Sequence, residues 1–222
     1  MTLPIDPRLN PVHKNLIENV RFGQVWGHLP PEEGIFDFFL NIKNYTKVEN
    51  ILEFGTNFGF SSSYQLTVFP EANIDSYDPR EWCCEDVLYE HSRKKFNVTC
   101  PAWMLNRLAY GNRFYFQRTT SRNARVREKP NHFDYCFIDG DHCFDGTVYD
   151  IETARILGIK YFVVDNLRPG DPTTEEILRA VESVDGIREL ERYTYTSEYP
   201  RLKDGEKFYI LDDIVLFEFD NL

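Results

Sequence analysis

Several familiar signatures are missing from this chain, and each absence removes a class of function. No apolar run approaches the roughly 20 residues that span a bilayer, so the sequence predicts no membrane helix. The opening residues, MTLPIDPRLNP, hold no basic segment followed by an apolar one, and the expectation is no secretory leader. Basic residues are outnumbered 25 to 36 by acidic ones, a formal net charge of −11. A broad acidic surface disfavours non-specific contact with nucleic acid or anionic membrane. The basic residues of 113–129 could form a local patch, although a solvated face explains them as well. Cysteines are five, odd in number and scattered, and the adjacent Cys83 and Cys84 sit in no zinc-ligand spacing. They predict free thiols in a reducing, cytoplasmic compartment. Nowhere does the three-glycine loop of nicotinamide sites occur, nor the Gly-Lys-Ser/Thr ending of a phosphate loop.

What is present is an alternation of strand and helix patterns. A 222-residue chain rich in aromatics can bury a substantial core in one domain. Residues 1–13 read as an arm and 14–22 as a short helix. Pro31, with Glu32 and Glu33 near the positive end of a helix dipole, starts a predicted helix over 31–45. Strands follow at 51–53, 73–78, 113–118, 133–139 and 160–165, the last apolar throughout as a buried parallel strand should be. Helices are predicted after the first strand and over 84–96, 145–157 and 173–184, where Thr173 and Glu176 fit a capping box. Residues 97–111 read as an insertion that could serve as a lid. Two β-rich runs, 187–196 and 207–219, close the chain through a polar turn at 203–205. The expected fold is α/β: a Rossmann-like, doubly wound, mostly parallel seven-stranded sheet with an antiparallel C-terminal strand. One domain spans 1–222, with 1–48 as arm and helices and 49–222 as core.

Residues 51–63, ILEFGTNFGFSSS, organise this pattern: a short strand, an acid at Glu53, glycines at Gly55 and Gly59, then Ser61 in the first turn of a helix. Glycine accepts positive φ and lets a ligand approach the backbone. An acid before such a loop suits a cationic ligand better than a phosphate. Glu53, Asp78, Thr120, Ser121, Asp139 and Asp165 all fall at or just after predicted strand ends, where doubly wound sheets bind ligands.

These residues carry a resemblance. LEFGTNFGFSS is similar to the E-x-G-x-x-x-G first motif of class I S-adenosylmethionine-dependent methyltransferases. FIDGDHCFDG and VVDN narrow the likeness to cation-dependent O-methyltransferases of the catechol and caffeoyl-coenzyme A type and to the related macrolide-sugar enzymes. The resemblance covers residues 29–219. It implies that S-adenosylmethionine is held by Glu53 and by the loop residues Gly55, Thr56, Asn57 and Gly59, with Ser61 at the cofactor carboxylate. Asp78 would take the ribose hydroxyls, and Thr120, Ser121 and Asp139 would complete the cofactor site. A turn role for Asp78 and helix-capping roles for Thr120 and Ser121 are the plainer alternatives.

The same likeness implies a divalent metal, Mg²⁺ or Ca²⁺, on Asp139, Asp165 and Asn166, since all-oxygen ligands suit hard cations. Catechol-type enzymes carry a lysine base three residues after the first acid; here His142 stands in that place. Histidine is able to act as a base near neutral pH, so His142 and Asp139 are the catalytic candidates. The expected reaction is O-methylation of a small-molecule hydroxyl, sugar or phenol-like, with no nucleic acid or membrane partner. A metal-independent transferase acting on another acceptor, a cofactor-binding protein without transfer, and assembly with a second copy all stay open.

Overall fold

In the computed structural model, residues 33–57, 59–80, 103–168, 170, 174–200 and 207–222 are described. The expected arm, the helices over 14–22 and 84–96, Thr173 of the capping box and the 203–205 turn lie outside them. The elements run in the order α1 (Glu33–Asn41), β1 (Asn50–Phe54), α2 (Phe60–Val68), β2 (Asn73–Tyr77), α3 (Trp103–Tyr110) and β3 (Phe114–Gln117). There follow α4 (Ser121–Arg127), β4 (Tyr135–Ile138), α5 (Phe144–Ile156), β5 (Tyr161–Val164), α6 (Glu175–Ser183), β6 (Ile187–Pro200) and β7 (Lys207–Phe219).

The seven strands form one sheet in the order β3-β2-β1-β4-β5-β7-β6. Pairs among β1 to β5 are parallel, while β7 is antiparallel to both β5 and β6. Only β7 therefore runs against the rest, as the sequence predicted. Strand order reverses between β1 and β4, and a doubly wound sheet opens its ligand crevice at such a point.

Strand periodicity divides the core into two layers. Ile51, Ile74, Tyr135, Phe137, Val163, Ile214 and Leu216 face a cluster shared with Phe36 and Phe39 of α1 and Tyr64 of α2. Leu52, Phe54, Cys136, Phe162, Val164, Val215 and Phe217 face the opposite layer, with Ile151 of α5 and Ile177 of α6. The long β6–β7 ladder contains one register shift, between Glu189 and Glu191, leaving Leu190 as the extra residue. Beyond that bulge Tyr195 stands opposite Asp212.

One local expectation changes. The stretch 97–111, read as an insertion, holds the helix α3, which packs on α2. Asn106 is buried and donates to the Gly59 carbonyl at 2.8 Å, and the Tyr110 hydroxyl meets Ser63 Oγ at 2.8 Å. At the start of α6, the Glu176 carboxylate accepts the Phe144 N–H of α5 at 3.0 Å.

Candidate functional site

A cavity of about 780 Å³ opens at the switch point, within the usual range for small-molecule sites. Of the residues singled out in the sequence, it gathers Gly55, Asn57, Asp78, Thr120, Ser121, Asp139 and His142 on its walls. Glu53, Thr56, Gly59 and Ser61 are placed outside that lining.

Glu53 lies two residues after Ile51 and so points to the same face of the sheet, beneath α2. It is fully buried, and its carboxylate accepts Ser61 Oγ at 2.8 Å, Ser62 Oγ at 2.5 Å, Gln65 Nε2 at 3.1 Å and the Ser76 hydroxyl. Burial pushes its pKa up to about 7, even though the serine hydroxyls pull the other way. The expected direct contact of Glu53 with the cationic end of a ligand is thus replaced by a buried brace between β1, β2 and α2. Ser61 is consumed by the same brace. Thr56 Oγ1 pairs with Ser76 Oγ at 2.6 Å, also in the interior.

The two glycines have different reasons to be glycine. Gly55 has φ +91°, and a Cβ there would collide with the Asp139 carbonyl oxygen, because the β1 loop passes directly over the end of β4. Gly59 has φ +78°, and a Cβ would strike the Asn106 side chain. The first keeps the crevice floor thin; the second lets α3 dock. Between them Asn57, at φ +45°, donates its N–H to Asp78 Oδ2 at 2.9 Å. Asp78 Oδ1 accepts the Arg80 N–H at 2.8 Å. Two backbone donors thereby fix the Asp78 carboxylate at the cavity wall, and a carboxylate oxygen has the capacity to accept more than one hydrogen bond.

On the other side of the crevice, His142 Nε2 lies 3.1 Å from Asp139 Oδ1. The Asp139 side chain is 13 % exposed and that of His142 43 %. The hydrogen bond to Asp139 is the main reason the His142 pKa is raised, with the charges of Asp139, Asp165 and Asp212 adding to it against the cost of desolvation.

Behind this pair is a polar network that the sequence did not reveal. Tyr195 of β6 donates its hydroxyl to Asp165 Oδ1 at 2.7 Å, and Asn166 Nδ2 reaches the same tyrosine oxygen at 3.2 Å. Arg168 is buried; its Nε lies 3.1 Å from Asp212 Oδ1, and its Nη2 closes a second bond to Oδ2. Burial first, then Asp139 and Asp212, hold the Asp165 pKa well above the usual carboxylate range. Tyr195 and Asp212 are easy to miss because both sit in strand-like runs whose pairing cannot be read locally. Asp150 of α5 also escaped notice; it is 3 % exposed and lines the cavity.

As arranged here, two members of the proposed metal set are engaged with the Tyr195 hydroxyl, Asp165 through Oδ1 and Asn166 through Nδ2. Among the described residues no three His, Cys, Asp or Glu side chains gather where they could hold one ion.

No family model matches the sequence, and no curated protein does. Solved structures do match. Cofactor-bound Rv0187 from MTB shares 14% identity with a TM-score of 0.62, over 96% of this chain and 91% of that one. The O-methyltransferase from Bacillus cereus in complex with SAH shares 17% with a TM-score of 0.56, over 98% and 93%. A protein of Pyrococcus horikoshii assigned as an RNA methyltransferase shares 11% with a TM-score of 0.55, over 88% and 89%. At such identities the likeness establishes the fold alone. The chain has the fold of class I S-adenosylmethionine-dependent methyltransferases, a fold that does not by itself choose the acceptor.

Proposed function

We propose that the chain is an S-adenosylmethionine-dependent methyltransferase acting on a hydroxyl of a small molecule, with His142 as general base and Asp139 as its orienting partner. The observation that carries this reading is that the His142–Asp139 pair opens onto the same cavity as the Gly55 loop and Asp78.

The donor set suits the cofactor. Asp78 offers a fixed carboxylate to a pair of ribose hydroxyls, the Cβ-free backbone at Gly55 permits close approach, and the acids of the crevice favour a cationic ligand. When bound, the cofactor supplies an already activated methyl group. The protein's own task is then to hold the acceptor oxygen in line and to remove its proton. His142 would take that proton as the oxygen–carbon bond forms and the carbon–sulfur bond breaks. Asp139, bonded to the ring, would stabilise the imidazolium that results. The net charge of −11 supports a small acceptor over a polyanion.

The test joins calorimetry with S-adenosylhomocysteine to an assay of that product over a panel of sugar and phenolic acceptors. Binding with turnover that His142→Ala abolishes supports the proposal. Binding without turnover on any acceptor supports a cofactor-binding protein that has no transferase role, and absence of binding removes the cofactor reading.

A second reading keeps Mg²⁺ or Ca²⁺ on Asp139, Asp165 and Asn166. The mutual crowding of Asp139, Asp165 and Asp212 favours it, because a cation would relieve that repulsion. To bind there it would have to displace the Tyr195 hydroxyl from Asp165. Turnover before and after chelation, with Mg²⁺ added back, decides between the two: loss and recovery support the cation, unchanged turnover the histidine pair alone.

A further inference from the structure

Two threonines of α5 use their hydroxyls differently. The Thr153 hydroxyl donates to the Tyr149 carbonyl at 2.8 Å, four residues back, the bond a threonine makes inside a helix. Thr147, one turn into the same helix and also buried, reaches out of it instead. Its hydroxyl donates to the Asp141 carbonyl at 3.0 Å, six residues back in the loop after β4. That carbonyl belongs to the peptide that joins Asp141 to His142. The loop is pressed onto the helix start at a second point. A Cβ on Gly146 would lie 2.6 Å from Asp141 Cβ, so the Asp141 side chain rests directly on the glycine backbone. Between these contacts the Gly146 N–H donates to Cys143 Sγ at 3.3 Å, and the Thr147 N–H donates to the Cys143 carbonyl at 3.0 Å.

We propose that Thr147 is a positioning residue, holding the peptide before His142 so that the imidazole meets Asp139 at the cavity wall; the assignment rests on the reading of His142 as base. Asp141, His142 and Gly146 line the cavity, and Thr147 lies outside that lining. It therefore acts through the backbone of the loop. The His142 side chain is exposed, so packing around the ring leaves it room to turn. What keeps its Nε2 3.1 Å from Asp139 Oδ1 is the direction in which the backbone launches the side chain. The plane of the peptide between Asp141 and His142 sets that direction, and Thr147 pins the plane by its carbonyl oxygen. Without that bond the loop can swing, and a reacting group misplaced by about 1 Å loses much of its effect.

Three variants test the assignment: Thr147→Val, which keeps the shape and removes the hydroxyl; Thr147→Ser, which keeps the hydroxyl; and Gly146→Ala, which pushes on Asp141. Carbethoxylation of His142 by diethyl pyrocarbonate, followed by peptide mass spectrometry, needs no acceptor. It should run roughly fivefold faster in Thr147→Val and Gly146→Ala, where the ring comes away from Asp139, and near the wild-type rate in Thr147→Ser. On an acceptor that the wild-type chain methylates, Thr147→Val should lower kcat roughly 10–100-fold with KM unchanged, and Thr147→Ser should restore it. In a His142→Ala chain, Thr147→Val should cost nothing further, since there is no base left to position. Unchanged modification rates, or a kcat loss that persists in full in the His142→Ala chain, overturn the inference and leave the base reading standing. The expected modification rates in a chain that turns over no acceptor remove the base reading and leave only the clamp on the loop.

Discussion

The acids at the carboxyl edge of the sheet fall into two groups that are treated differently. On the β1–β2 side, Glu53 and Asp78 are satisfied by neutral donors: serine hydroxyls and an amide for one, backbone N–H groups for the other. On the β4–β5–β7 side, Asp139, Asp165 and Asp212 repel one another and depend on His142, Tyr195 and Arg168. Neutral donors hold a carboxylate in place with no second titrating group in the contact. Mutually repelling carboxylates with titratable partners respond strongly to pH. On the function proposed above, the first side would hold a ligand still and the second would let a proton move.

Four experiments sharpen or break that contrast. The largest effect belongs to the second side: His142→Ala should lower kcat by roughly 10²–10⁴-fold and leave S-adenosylhomocysteine affinity unchanged. Equal losses in kcat and affinity would mean that the two sides are not separable. Next, Glu53→Ala should destabilise the fold by roughly 3 kcal/mol, through a cavity and the hydroxyls left without an acceptor, as read by denaturant unfolding. A stable Glu53→Ala that failed to bind cofactor would return Glu53 to a direct ligand role. The sign of its pH dependence follows from its raised folded pKa. Between its ordinary 4.5 and about 7, the folded state retains a proton that the unfolded chain has released, so stability falls as pH rises through that window. Glu53→Gln should flatten this slope.

A smaller loss is expected from Asp78→Ala, where affinity for S-adenosylhomocysteine should drop roughly 10–100-fold with little change in the fold. Smallest is Asp139→Asn. Because Asp139 is the main cause of the raised His142 pKa, its removal should move the acid limb of kcat/KM to lower pH. A limb that stayed in place would mean that some group other than His142 takes the proton.

The layout of the sheet was legible because parallel strands buried on both faces read as apolar runs, and helices between them keep their own period. KYFVVD became β5 and FDYCFID became β4 within a residue or two at each end. The direction in which Glu53 points was also within reach. It shares parity with Ile51, which faces α2, so only its position near a strand end pointed to the crevice, whereas the pleat turned it inward. Two features resisted for physical reasons. Helix α5 is buried on more than one side, with Asp150 and Thr153 inside along with Ile151 and Ala154, and a single apolar stripe misses such a face. Tyr195, Asp212 and Arg168 meet only through the β6–β7 ladder and the loop after β5, so no local spacing announces them.

The register shift at Leu190 has a consequence for that meeting. Side chains alternate faces along a strand, so Ile187 and Tyr195, eight residues apart, would share a face in an unbroken strand; the extra residue lets Ile187 pack on one core layer while Tyr195 stands opposite Asp212 in the other. One irregular residue remote from the crevice thus lets a single strand serve both layers of the core.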